Sequence, residues 1–189
     1  MIAAAVLGAG PAMAVDLEIQ FDVLERLIGE QAFTAEGRRY VQGSKDQRCR
    51  YAYLEHPKLS AAGDRMQLKV GFSGKTALDM FGHCMGVGDS FELTISAKPV
   101  VDKSGEVGFE QFVVATPRDS FYIRRVRQAL VETLNKNFKL DIMAQTKKLI
   151  EAPTQVGRFQ QQIRDLKLGG VHVASGALVL AVDFKVIVK

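Results

Sequence analysis

From Arg118 to Ala152 the chain carries neither Gly nor Pro, and its apolar residues recur at helical spacing; on both sides of that stretch they alternate with period two. This switch of period constrains the fold more than any other feature. Tyr122, Val126, Leu130, Leu134 and Phe138 fall four residues apart, and Ile123, Val131, Ile142, Met143, Leu149 and Ile150 widen the stripe. Pro117 stands where a helix can begin and Pro153 where it must have stopped. One unbroken helix over Arg118 to Ala152 would reach about 50 Å. Asn135 to Asn137 is its weakest stretch and the place for a kink.

The flanks read as antiparallel sheet. Leu17, Ile19 and Phe21 alternate with Asp16, Glu18 and Gln20, a short strand. A helix to about Gln31 follows, with Asp22 and Glu25 spaced as a capping box. Thr34 to Lys45 reads as a loop. A meander comes next. Arg48 to Ser60 carries Pro57, which points to an edge or a bulge. Ala62-Gly63-Asp64 is a turn, and Met66, Leu68, Val70 and Phe72 alternate with polar residues. The strand continues through Gly74, bent there, toward Cys84, and Gly86 to Asp89 is expected to turn the chain. Phe91, Leu93, Ile95 and Ala97 form the next strand, and Asp102 to Gly105 the next turn. A phase change between Phe109 and Phe112 suggests a bulge. Gln155 to Arg164 reads as a short helix or loop. A closing hairpin, Leu166 to Val173 and Leu178 to Val188, turns at Ser175-Gly176, with Gly169-Gly170 shifting the phase of its first strand. The expected fold is α+β: a long antiparallel meander sheet curled around one long helix of the C-terminal half, with a short N-terminal helix.

Residues 1–14 have the marks of a signal peptide: an apolar run from Ile2 to Ala9, then Ala12-Met13-Ala14, with cleavage expected after Ala14. No Lys or Arg precedes Arg26, so the usual basic start is missing. Residues 15–189 form one domain with no linker or repeat. The expected protein is exported, soluble and periplasmic, and no Cys at the new N-terminus offers a lipid anchor. In an oxidising compartment Cys49 and Cys84, the only two cysteines, are expected to pair. The alternatives are two buried thiols or a metal site. The second lacks ligand spacing, since His56, His83 and His172 are scattered.

The order of elements resembles the tubular lipid-binding proteins, the superfamily of the bactericidal permeability-increasing protein, and in particular its small single-domain bacterial relatives. The resemblance rests on strand–helix opening, meander, long helix and closing hairpin, and spans Asp16 to Lys189. It implies a lipid, or another long hydrophobic molecule, held between curled sheet and helix, possible use in lipid transfer, no cofactor and no catalysis. No family site residue transfers by motif. From the residues themselves, Leu68, Val70, Phe72, Phe91, Leu93, Ile95, Val182 and Phe184, facing Leu130, Leu134 and Phe138, would line the groove. As ordinary core none of them needs a function. A polar interaction with a headgroup falls to Arg124 or Arg127 on the long helix, where Arg125, Lys147 and Lys148 add positive charge; Arg38-Arg39 is a weaker candidate.

The remaining composition excludes more than it proposes. Hydrophobic residues make up 47% and charged residues 24% of 189, and the net charge of +4 is spread without a block of like charges. Transient contact with an anionic membrane surface fits such a balance; nucleic acid does not. Gly74-Lys75-Thr76 echoes a phosphate loop, but the glycine the motif needs at position 69 is Lys. Ser90 and Ser120 have no nearby His in sequence. The rival to a lipid-binding protein is an envelope structural or assembly factor of the same fold, with a packed interior and a protein partner.

Overall fold

The computed structural model describes residues 15–137, 141–151 and 161–188; the expected leader and Phe138 lie outside the described residues. Strand β1 (Val15–Gln20) runs directly into helix α1 (Phe21–Ala32), whose buried stripe is Phe21, Leu24 and Ile28. Then come β2 (Arg38–Gln42), β3 (Arg50–Ala62), β4 (Arg65–Met80), β5 (His83–Val101) and β6 (Val107–Ala115). Helices α2 (Phe121–Asn137) and α3 (Ile142–Glu151) precede the closing strands β7 (Gln161–Ala174) and β8 (Ala177–Val188). Strands β2 to β6 pair in chain order as one antiparallel sheet, curled into a half-barrel, and β1, β8 and β7 form a second sheet in that order.

Bulges let the large sheet curl. The register slips between Glu55 and Lys58, where His56 takes a φ of 55° ahead of Pro57, and between Ser96 and Lys98, opposite Gln111 with the same φ. Each slip leaves an unpaired residue and bends its strand. Both coincide with the bulges expected at Pro57 and between Phe109 and Phe112. The phase shift at Gly169-Gly170 is likewise a register slip in β7.

Several expectations need correction. The predicted loop from Thr34 to Lys45 contains β2, and the region expected to be a short helix or loop enters β7 at Gln161. Gly86 to Asp89 do not turn the chain: they lie in β5, and the two-residue turn is Phe81-Gly82, with φ of 53° and 81°. The closing hairpin, whose partner the sequence did not indicate, pairs with β1.

The capping box in α1 does not form. Among the described residues Asp22 accepts from Val23 N alone, while Glu25 reaches to β3, accepting from Leu59 N at 2.7 Å and pairing with Lys58 at 3.2 Å. The acid that might have capped the helix instead fixes it on the sheet.

Finally, the long helix is two helices. Asp141 is not helical; its Oδ1 accepts from Ala144 N at 2.9 Å, the geometry of an N-cap opening α3. Ser120 caps α2 in the same way through Ile123 N at 3.2 Å, so residues 118–120 stay outside it. An α2 of 17 residues spans about 25 Å, half the length expected of the whole stretch.

The core is contiguous. The inner face of the curled sheet contributes Ala52, Leu54, Met66, Val70, Phe72, Leu93, Ile95 and Val114, the helices add Leu24, Ile28, Leu130 and Ile142, and the second sheet adds Leu178, Leu180 and Val182. α1 packs on β3, α2 on β6 and α3 on β7, and β7 runs beside β5. Cys49, just ahead of β3, is disulfide-bonded to Cys84 in β5, with Cα atoms 5.2 Å apart, as the pairing of the two cysteines requires. The bridge straps the outer part of the β4–β5 hairpin, where Ala77 N also donates to Cys49 O at 2.8 Å. The strands close tightly there. A Cβ at Gly86 would lie 2.5 Å from the Ala77 Cα and closer still to Thr76 O. Gly86→Ala is therefore expected to destabilise the protein by about 1–3 kcal/mol, measured by denaturant melts; an unchanged midpoint would mean that the strands part at no cost.

Candidate functional site

Helix α2 leans on β6, at one edge of the curled sheet. Ile123 and Leu130 are buried, and Val126 and Leu134 half-buried beside them, so one helical face points inward. Between the helix and the sheet three cavities lie in a row, the first two over β2 to β5 and the third reaching β6. The first, about 420 Å³, is bounded by Val41, Gln42, Ala52, Phe72 and Thr76 of the sheet and by Tyr122, Arg125, Val126, Gln128, Ala129, Leu130, Glu132 and Thr133 of α2. The second, about 190 Å³, shares Val41, Leu130 and Thr133 with the first and adds Gln31 to Phe33, Arg39, Leu54, Leu68, Ile95 and Leu134. The third, about 40 Å³, shares Leu68, Ile95 and Leu134 with the second and is otherwise closed by Ile28, Leu59, Met66, Ala97, Phe109 and Phe112. The shared lining residues place the three one after another. The widest of the three falls in the size range of small-molecule sites.

The polarity along this line is graded. The inner end is wholly apolar. At the outer end the floor is Val41, Ala52, Phe72 and Leu130, and the rim on the solvent side of α2 is Arg125, Gln128 and Glu132, with Gln128 Nε2 donating to Glu132 Oε1 at 3.1 Å. Tyr122 closes the floor against β4. A Cβ at Gly74 would sit 2.8 Å from the Tyr122 hydroxyl and 2.7 Å from Phe72 Cζ, so this glycine makes room for the two rings. Burial, with Asp89 nearby, holds the Tyr122 phenol above its ordinary pKa, so it remains neutral. At the opening Arg118 pairs with Asp89 at 3.8 Å, and Arg125 lies 5.4 Å from the centre of the exposed Phe121 ring.

The structure brings together a part of the residues expected to line a groove. Leu68, Phe72, Ile95, Leu130 and Leu134 line the cavities. Val70 and Leu93 are buried to 1% in the core between them, and Phe91 packs on Phe72 with ring centres 4.9 Å apart. Val182 and Phe184 belong to the second sheet and line none of the three. Arg124 and Arg127 both turn to Asp119 at 3.3 Å, and Arg125 is the arginine on the rim. Of the weaker pair, Arg39 lines the second cavity, while Arg38 pairs with Glu55 at 3.2 Å and lies 4.5 Å over the Tyr53 ring. Lys147 and Lys148 are exposed on α3.

Val41, Tyr122, Arg125 and Gly74 were not among the expected lining residues. Val41 lies on β2, a strand too short to show alternation, and Arg125 was one of three neighbouring arginines whose direction depends on the helical phase. Gly74 read as a bend, although its role is to leave space.

Among the described residues, no group of three or more His, Cys, Asp or Glu side chains could hold a metal ion, and no helix is long and apolar enough to cross a membrane. Comparison of the chain with protein-family models, with curated proteins and with solved structures gives no match.

Proposed function

We propose that this chain binds a lipid or another long apolar molecule, noncovalently and without turnover, in the space between α2 and the curled sheet. The observation that carries the reading is the line of three cavities with shared walls, apolar within and polar at its outer rim. Such a gradient suits an amphiphile. Each methylene taken from water contributes about 0.8 kcal/mol, so a modest length of acyl chain gives useful affinity with no reacting group. Arg125 and Gln128 stand where a headgroup would emerge. A curled half-barrel sheet with helices is in keeping with the resemblance in element order to the tubular lipid-binding superfamily, which implies a lipid held in such a groove and use in lipid transfer. The disulfide suits an oxidising compartment, in keeping with an exported, periplasmic protein.

Native mass spectrometry of the purified protein, together with titration by a fluorescent fatty acid or phospholipid, tests the proposal. Saturable binding is expected. Ala129 lines the first of the three cavities and is exposed on its helix, so Ala129→Trp should fill the space and weaken binding at least about tenfold, with a loss of stability under about 1 kcal/mol. Absence of saturable binding, or equal binding by Ala129→Trp, would refute the groove.

A further inference from the structure

We propose that the outer end of the β4–β5 hairpin is a docking wedge for an anionic lipid bilayer. β3 accompanies β4 only as far as the pair Arg50–Thr76; beyond it β4 and β5 run on together to the Phe81-Gly82 turn. Thr76 faces Val87, Leu78 faces Met85 and Met80 faces His83 across the ladder. All six lie on one face, because side chains alternate along a strand. The same alternation earlier in β4 sends Met66, Val70 and Phe72 into the core, and Thr76 lines the first cavity. The stripe is therefore the inner wall of the groove, continued past the start of α2.

This continuation is uncovered. Leu78, Met85 and Val87 are 63–67% exposed, Met80 47%, and Phe81 at the apex 98%. A contiguous apolar ridge of this kind marks an interaction site. The turn adds an independent sign. Its first position takes a φ of 53°, which two-residue hairpin turns normally give to Asn, Asp or Gly. A bulky aromatic is unfavourable there, so the needs of the turn do not account for Phe81.

Charge points to the occupant. Among the described residues, Arg48, Arg50, Lys75 and Arg125 form no ion pair. Arg50 faces Thr76 at the start of the stripe and Arg48 precedes it by two residues, while Lys75 is on the opposite face with Asp79; Arg125 lies beside exposed Phe121 at the groove opening. Against them stand Asp46 and Asp79. Asp79 is on the opposite face from the stripe and accepts from Gly82 N at 3.1 Å. An apolar ridge bordered by cations matches the acyl boundary and the phosphates of an anionic bilayer. With Asp79 turned away, the wedge lies on the bilayer by its apolar face, and the groove opens towards the lipid.

Flotation with vesicles tests this separately from ligand binding. The intact, oxidised protein should float with phosphatidylcholine–phosphatidylglycerol vesicles, less with phosphatidylcholine alone, and less at high salt. The double variant Phe81→Asp, Met85→Asp changes only exposed positions, so it should keep the wild-type melt yet bind vesicles at least about tenfold more weakly. The Phe81→Trp variant should show a blue-shifted emission on binding, quenched by brominated lipid. Ala129→Trp should float as wild type does, whatever it does to fatty acid titration. The proposal is overturned if the wild type does not float, if the indole of the Phe81→Trp variant remains in water on bound protein, or if Ala129→Trp abolishes flotation, which would place the contact in the groove. It is equally overturned if the double variant floats unchanged, or if sedimentation shows a dimer that the variant dissociates, which would make a second copy the occupant.

Discussion

Leu180→Asp is expected to cost at least about 4 kcal/mol, by placing an unpaired charge among groups that cannot solvate it. Leu180 is 0% exposed in β8, opposite Leu17 of β1 and Val171 of β7. For a chain of this size the loss corresponds to a fall in Tm of more than about 8 °C, read by thermal melts or by failure to refold. Leu134→Asp is the informative contrast. Leu134 is half-buried and borders two of the three cavities. An aspartate there can draw water into space already present, so it should cost clearly less than the change at Leu180. Equal losses at the two sites would mean that the interior under α2 is as solid as the second sheet, and the groove would have to be abandoned.

The second large effect is expected from the disulfide. Cys49 and Cys84 are 35 residues apart, and a closed loop of that length is worth about 3–4 kcal/mol on the chain-entropy model. Cys49→Ser, Cys84→Ser, or reduction of the wild type, should lower Tm by about 6–16 °C. The bridge joins the segment before β3 to β5 across β4, so its loss should also speed amide exchange in residues 76–87 before it affects β8. A reduced protein with an unchanged melt and unchanged exchange would show that the ladder holds the hairpin unaided.

Some of this architecture is legible in residue order because the cause is local. Alternation such as that of Met66 to Phe72 or Leu178 to Phe184 can bury only one face of a strand. Gly63, Gly105 and Gly176 all have positive φ in the turns where they were expected. Pro57 cannot donate to a ladder, so a register slip there followed from its chemistry. Where the sequence misleads, two local solutions compete and distant contacts choose between them. Asp141 can sit within a helix or cap a new one, and the choice is made where its backbone N–H meets Gln31 Oε1 at 3.3 Å. Glu25 is spaced as a capping residue, but the free amide of Leu59 takes it.

What the sequence by itself determined is the α+β class, the order of most elements and the faces that go inward; it favoured the pairing of its only two cysteines, and the structure settled it. These follow from periodicity, turn chemistry and count, which act over a few residues or need no geometry. Tertiary structure alone decided that β8 joins β1 and β7 in a sheet of their own, that Arg125 rather than Arg124 or Arg127 stands at the rim, and that α2 rests on β6 and leaves space over β2 to β5. A cavity is where surfaces brought from opposite ends of the chain fail to meet, and an apolar residue that packs and one that lines a void are alike in sequence.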